Sequence, residues 1–291
     1  MPNIIESHLS MEDGTKIFIR DWLNEENKAD NNKNASQRCV VILHGFGEHC
    51  GRYDHIAAFF NSRGFAVRTF DHRGHGQSDG ARGDCPDSMR IVNDAEIIIR
   101  DFAHHCQHGP ILFGHSMGGL FAARIALAAN IPIDGLVLSS PALALRLTRP
   151  QRLLLKIASI IAPHFATSPP FNPEVLSHQL STVVAYLSDP LVHRQITASM
   201  GKSMLSAIDF VKTHASKLTV PTLLLVAEDD QIVDPQGSHT FFEALPDKLG
   251  TAHFYVDYYH EVFNEAGADK VFDDLNKWLT KLINEDNNEN K

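Results

Sequence analysis

The sequence predicts a mostly parallel α/β sheet flanked by helices, with one helical insertion lying over the sheet's C-terminal edge. Three observations lead there. Short runs rich in Val, Leu, Ile and Phe recur with helical patterns between them, as expected of strands buried on both faces. One long stretch, 142–218, breaks that rhythm with helical segments and six prolines but no strand pattern. Finally, Ser116 stands between glycines where an apolar strand run meets an alanine-rich helical run.

The elements follow in order. Ile5 to Leu9 and Thr15 to Arg20 read as leading strands, and Asn24 to Gln37, rich in Asn, Lys and Asp, reads as a mobile polar loop. Strand runs follow at Cys39 to Leu43, Phe65 to Phe70, Pro110 to Gly114, Gly135 to Ser139, Pro221 to Ala227 and Ala252 to Val256, which makes eight. Between them Ile91, Val92, Ala95, Ile98, Ile99 and Phe102 keep the 3.6 period of a helix packed on a sheet. Val271, Phe272, Leu275, Trp278, Leu279 and Leu282 repeat it near the end, before a polar tail, Asn284 to Lys291, that should fray. The domains expected are a core of 1–141 with 219–291 and a helical cap of 142–218, inserted between strands six and seven. Open α/β sheets place their ligands at the edge such a cap would cover.

Composition sets limits. Hydrophobic residues make up 43% of the 291 positions, enough for a full core, and the net charge of -9 argues against nucleic acid as a partner. The four cysteines show neither C-x-x-C spacing nor a dense framework, which predicts free thiols in a reducing compartment. The N-terminus shows no basic and apolar leader pattern, and the longest apolar run is too short to span a bilayer. A cytoplasmic chain, at most peripheral at membranes, is the expectation.

The chemistry centres on Gly114-His115-Ser116-Met117-Gly118-Gly119. A serine in G-x-S-x-G at a strand-to-helix turn is held clear of the sheet, and the next helix aims its N-terminal N–H groups at the same place. Such a serine needs a base, itself oriented by a carboxylate, in the chain order Ser, acid, His. Among 17 histidines, His260 lies in the loop after the last strand, whereas His253 falls within a strand and His239 within a helix. The acid is open at this level, because Asp229, Asp230 and Asp234 all follow the preceding strand. The oxyanion donors should be the backbone N–H of Met117 and, from His44-Gly45-Phe46-Gly47, the N–H of Phe46.

His44-Gly45-Phe46-Gly47-Glu48-His49, Gly51-Arg52-Tyr53, Asp71-His72-Arg73-Gly74-His75-Gly76-Gln77-Ser78, the elbow itself, Asp230-Gln231-Ile232-Val233 and His260-Glu261-Val262-Phe263-Asn264-Glu265 together resemble the motif set of monoglyceride lipases, within the wider lysophospholipase-like α/β-hydrolases. The resemblance spans essentially the whole chain. It implies Ser116 as nucleophile, His260 as base, Asp230 rather than Asp229 as acid, and Phe46 and Met117 as the oxyanion hole. It implies an α/β-hydrolase fold and hydrolysis of lipid-like carboxylic esters, monoacylglycerol first. Lysophospholipase or broad carboxylesterase activity is the alternative, and aminopeptidase or amidase activity a more distant one, with Glu174 as a candidate grip for an α-amine. The bulky Phe46 departs from the small residue of the animal enzymes and should narrow the acyl pocket.

No cofactor and no metal is expected. The histidine-rich Asp71 to Gly76 stretch lacks metal-ligand spacing and reads as a brace for the loops around the serine. The leucines and isoleucines of 143–161 read either as helix core or as walls for an acyl chain. Arg146, Arg149 and Arg152 form a basic cluster, read as a solvated face or as a contact for lipid headgroups. Transient contact with a membrane surface through the cap belongs to the same expectation.

Overall fold

A computed structural model describes residues 3–23 and 37–289. The chain forms β1 (Asn3–Ser10), β2 (Lys16–Leu23), β3 (Cys39–Leu43), β4 (Ala66–Phe70), β5 (Ile111–His115) and β6 (Gly135–Ser139). A short ribbon of β7 (Ala166–Thr167) and β8 (Ile196–Thr197) follows, and then β9 (Thr222–Ala227) and β10 (Gly250–Tyr255). All but the ribbon join one eight-stranded sheet in the order β1-β2-β4-β3-β5-β6-β9-β10. The pairings β1–β2 and β2–β4 are antiparallel and the others parallel.

Both faces of the sheet's centre are covered, which is why β3 is apolar throughout and β9 nearly so, whereas the edge strand β1 is largely polar and exposed. Alternate side chains go to opposite layers. Val41, Leu112 and Leu224 enter the layer that takes in α2 (Arg90–Ala103) and α3 (Met117–Ala128). Val40, Phe113 and Leu225 enter the layer shared with Ile56 and Phe60 of α1 (Asp54–Asn61) and Leu275 of α8 (Ala268–Glu289). The apolar positions predicted for α2, from Ile91 to Phe102, all lie buried in the first layer.

Between β6 and β9, strands six and seven of the sheet, the chain leaves the core and forms the cap. It contains α4 (Arg149–Ile161), α5 (Leu180–Ser188) and α6 (Ala198–His214); α7 (Gln236–Ala244) follows β9 in the core. α4 starts at a capping box, in which Thr148 accepts from the Gln151 N–H and the Gln151 side chain accepts from the Thr148 N–H at 2.8 Å. Three histidine–carboxylate contacts tie the cap to the core: His49 Nε2 to Asp189 at 2.8 Å, His178 Nδ1 to Glu265 at 3.0 Å and His164 Nδ1 to Asp84 at 3.1 Å.

Several expectations need correction. The cap is not purely helical, because β7 and β8 pair across it; two-residue strands fixed by a distant partner leave no local pattern. The tail does not fray at Asn284, since α8 runs to Glu289. The thiols are not all free. Cys39, at the start of β3, is disulfide-bonded to Cys106, just past the end of α2, with Cα atoms 5.6 Å apart, while Cys50 and Cys85 remain buried thiols. The partners are 67 residues apart in sequence, so no local spacing announced the bond. The loop expected over Asn24 to Gln37 lies, apart from Gln37, outside the described residues. No helix among the described residues is long and apolar enough to cross a membrane.

Candidate active site

Ser116 sits in the one-residue gap between β5 and α3 with φ 52° and ψ -118°, a left-handed backbone that a side-chain-bearing residue adopts only under constraint. The constraint is visible. The Ser116 N–H donates to the Ser139 carbonyl at 3.0 Å, and the Ser116 carbonyl accepts from Leu120 and Ala142 at 3.0 and 2.9 Å. The flanking glycines serve close approach: a Cβ on Gly118 would lie 2.2 Å from the Leu43 carbonyl oxygen, and one on Gly114 2.5 Å from the Gly118 oxygen. A side chain at Gly118 would push α3 off β3, and one at Gly114 would push it off β5.

Asp230 and His260 come from the loops after β9 and β10, at the same sheet edge as Ser116. His260 Nδ1 meets Asp230 Oδ2 at 2.6 Å, with the residues 3% and 2% exposed. The other carboxylate oxygen accepts the N–H groups of Ile232 at 2.8 Å and Val233 at 3.0 Å, so the acid is fixed at both ends. Burial opposes charge on His260, but Asp230, Glu261 and Glu48 outweigh it and raise the imidazole above the usual 6.5. Burial likewise pushes the Asp230 carboxyl up, yet His260 and the two N–H donors bring it net below the usual carboxylate range. Asp229, the neighbouring candidate, instead accepts the Asp257 N–H at 2.8 Å on the exposed side, and Asp234 accepts from Gln236 at 3.2 Å.

Phe46 and Met117 flank the serine from two sides. Met117 is the first residue of α3, where an N–H has no acceptor within the helix. The loop carrying Phe46 is held by a buried network that sequence reasoning missed. Glu48 Oε1 accepts the Gly45 N–H at 2.6 Å and the Tyr53 hydroxyl at 2.5 Å, and Glu48 Oε2 accepts Arg52 at 2.5 Å. Arg52 in turn makes two 2.9 Å bonds to Glu261, next to His260. One arginine thus joins the loop of Phe46 to the loop of His260. Its members lie in the quoted motifs, but only the fold shows that residues 52 and 261 meet.

The histidine-rich stretch is hydrogen-bonded into the loops beside it. His44 Nε2 accepts the His72 N–H at 2.9 Å, and Asp71 accepts the N–H groups of Cys50 and Gln77, each at 2.7 Å. Burial keeps these rings neutral: His44 and His75 fall well below 6.5, and His72 falls to about 4. His115 is pushed down to about 3 by burial and by His260, and its Nδ1 lies 3.1 Å from the Ser139 hydroxyl, steadying the elbow from below. Among the described residues no group of three His, Cys, Asp or Glu is placed to hold a metal ion.

Two cavities meet at Ser116. One, of about 320 Å³, is lined by Ser116 and His260 together with Glu48, Arg52, Tyr186 and Arg194. The other, of about 500 Å³, runs beneath the cap with walls including Leu145, Leu147, Leu154, Leu155, Phe165 and Met204. Phe46 lines both, at the junction. The apolar cap residues divide three ways. Leu143 is buried, Leu145 and Leu147 face the larger cavity, Leu154 lines its mouth while largely exposed, and Leu153, Ile160 and Ile161 stand in the open. Glu174 is exposed on a short 3-10 turn and lines neither cavity.

An eight-stranded, mostly parallel sheet with a serine elbow on its fifth strand and a helical cap after its sixth defines an α/β-hydrolase. Residues 34–267 match the family described as serine aminopeptidase, S33, and the chain belongs to that family. Its relatives include the monoglyceride lipase of Rattus norvegicus, 30% identical over 95% of this chain and 90% of that protein. Phospholipase YtpA of Bacillus subtilis is 30% identical over 80% of this chain and 91% of that protein. The crystal structure of Paleococcus ferrophilus monoacylglycerol lipase matches with a TM-score of 0.79 and 30% identity, covering 96% of this chain and 99% of the other. The chain spans 27% of the length of a further relative, an uncharacterized abhydrolase domain-containing protein of Dictyostelium discoideum that is 30% identical over 86% of this chain.

Proposed function

We propose that this serine ester hydrolase cleaves monoacylglycerol to fatty acid and glycerol through Ser116, His260 and Asp230. The observation that carries the proposal is the meeting at Ser116 of a long apolar cavity with a smaller one rimmed by charged groups. An acyl chain fits the first and a polar alcohol the second. In the smaller cavity the charges of Glu48 and Glu261 are set against those of Arg52 and Arg194, which suits a neutral leaving group better than a phosphate.

In this reading His260 takes the Ser116 proton as the hydroxyl attacks the ester carbonyl, and Asp230 holds the imidazole tautomer and steadies the imidazolium. The N–H groups of Phe46 and Met117 receive the oxyanion, helped by the N-terminus of α3. His260 then protonates the departing alcohol, and later activates the water that frees the acid. We take 142–218 as the cap unit on a core of 1–141 and 219–291. We also propose that its exposed apolar residues, among them Ile160 and Ile161 at 74% and 77% exposure, rest transiently on the membrane surface that presents the substrate.

The deciding experiment is a hydrolysis panel on the purified protein. Monoacylglycerols should be cleaved faster than lysophospholipids, and far faster than triacylglycerols, whose three chains exceed the covered cavity. A higher rate on lysophospholipids would reverse the ranking. Faster cleavage of aminoacyl amides would sink the ester reading, though Glu174 is badly placed to grip an amine.

A further inference from the structure

Arg146 parts company with the two arginines grouped with it in sequence. Arg149 and Arg152 ride on α4, whereas Arg146 precedes it in the segment by which the chain enters the cap. Its guanidinium turns back to the core. Nη2 donates to the Asp230 carbonyl at 2.9 Å and Nε to the Val233 carbonyl at 3.2 Å. These two carbonyls bracket the turn whose N–H groups, from Ile232 and Val233, hold Asp230 Oδ1 and leave Oδ2 for His260. Main-chain contacts reinforce the join: Leu145 pairs with Val233 in an isolated antiparallel bridge, and the Asp234 N–H donates to the Ala144 carbonyl at 3.1 Å. Arg146 lines neither cavity at Ser116. It faces an outer recess with His178, Glu228, Asp229, Asp257 and Tyr259.

We infer that Arg146 is a positioning residue that sets, through the main chain of the 230–233 turn, the angle at which Asp230 meets His260. The inference rests on the triad reading above. A cap residue thereby enters the geometry of the core's acid, and movement of the cap entry is felt at His260 without any contact to substrate. Arginine suits the task because one planar fork can reach two carbonyls at once. Lysine, a single point donor, can serve only one well.

The test uses Arg146→Gln and Arg146→Lys in the full chain, assayed with a soluble short-chain ester and normalised to active sites counted with a fluorophosphonate. Arg146→Gln should lower kcat by about tenfold, short of the roughly 10²-fold that a 1 Å misplacement can cost, with KM nearly unchanged. Its acid limb in kcat/KM should also move to lower pH, because a loosened Asp230 raises the imidazole less. Arg146→Lys should recover part of both effects. Wild-type kcat and an unmoved limb in Arg146→Gln would overturn the inference. So would a loss of kcat with the limb unmoved and no recovery by lysine, which marks a merely structural residue. Ser116→Ala separates the two layers: full activity in that variant overturns the triad and this inference together, whereas an inactive Ser116→Ala beside an unaffected Arg146→Gln overturns the inference alone.

Discussion

Ser116, 8% exposed and held in a strained backbone, has its hydroxyl as the one feature that alanine would remove. Ser116→Ala should therefore keep the fold and lose about 10⁴-fold or more in kcat, with fluorophosphonate labelling lost as well. Labelling of the variant at another serine would show a misassigned nucleophile. For the acid, Asp230→Asn should cost roughly 10⁴-fold in kcat through the wrong imidazole tautomer, and Asp229→Asn far less. The two cannot be separated by the loop sequence alone, since they are adjacent. Burial and the His260 contact distinguish them in space, and the family register had pointed the same way. As the proposed base, His260 must be neutral to accept the serine proton, and its pKa is raised. The acid limb of kcat/KM should accordingly lie above pH 6.5, with activity lost below it as His260 protonates. A limb centred at or below 6.5 would contradict the environment described for His260. Where sequence reasoning fell short at this scale was the Glu48–Arg52–Glu261 network, because the Arg52–Glu261 contact that completes it spans 209 residues and has no local signature.

Elements were legible in proportion to their length and period. α2 and α8 carry long apolar stripes and were readable at once. By contrast α1 has eight residues and α7 nine, too short for periodicity to stand out from loops. The elbow shows how tightly element packing is specified. Gly118→Ala would drive a methyl against the Leu43 and His44 carbonyls, and should destabilise the protein by at least about 1–3 kcal/mol, read as a lower denaturation midpoint. Unchanged stability would mean that α3 can lift off β3 freely. On α4 the apolar exterior reads in sequence as core or tunnel wall, since a helical stripe does not reveal what it faces. If that face meets membranes, Ile160→Asp with Ile161→Asp should weaken flotation with lipid vesicles and slow hydrolysis of vesicle-borne substrate. Turnover of a soluble ester should stay near wild type, and unaltered flotation would refute the contact.

At the scale of the molecule, the parallel sheet and the inserted cap followed from alternating strand and helix patterns, but the covalent link from Cys39 to Cys106 did not. It closes a loop of 67 residues that takes in β3, β4 and α2, and such a loop is worth about 4 kcal/mol in a chain-entropy account. Thiol reductant should thus lower Tm measurably, and Cys106→Ser should make Tm insensitive to reductant. An equal Tm with and without reductant in the wild type would mean that the bond contributes no stability.

The junction at Ser116 has a consequence for the order of events. On the proposed mechanism, once the ester bond breaks the alcohol occupies one cavity and the acyl group the other, so the alcohol can depart while the acyl-enzyme persists. The vacated chamber then faces a reactive acyl carbonyl, and whatever enters it competes to be the acceptor. Water gives hydrolysis; a small alcohol gives a new ester. Added glycerol or ethanol should divert part of the turnover to transfer product, raising total consumption of substrate wherever deacylation limits the rate. The enzyme would then behave as an acyltransferase whose usual acceptor is water, with the partition set by what the chamber beside Glu48 and Arg194 can hold.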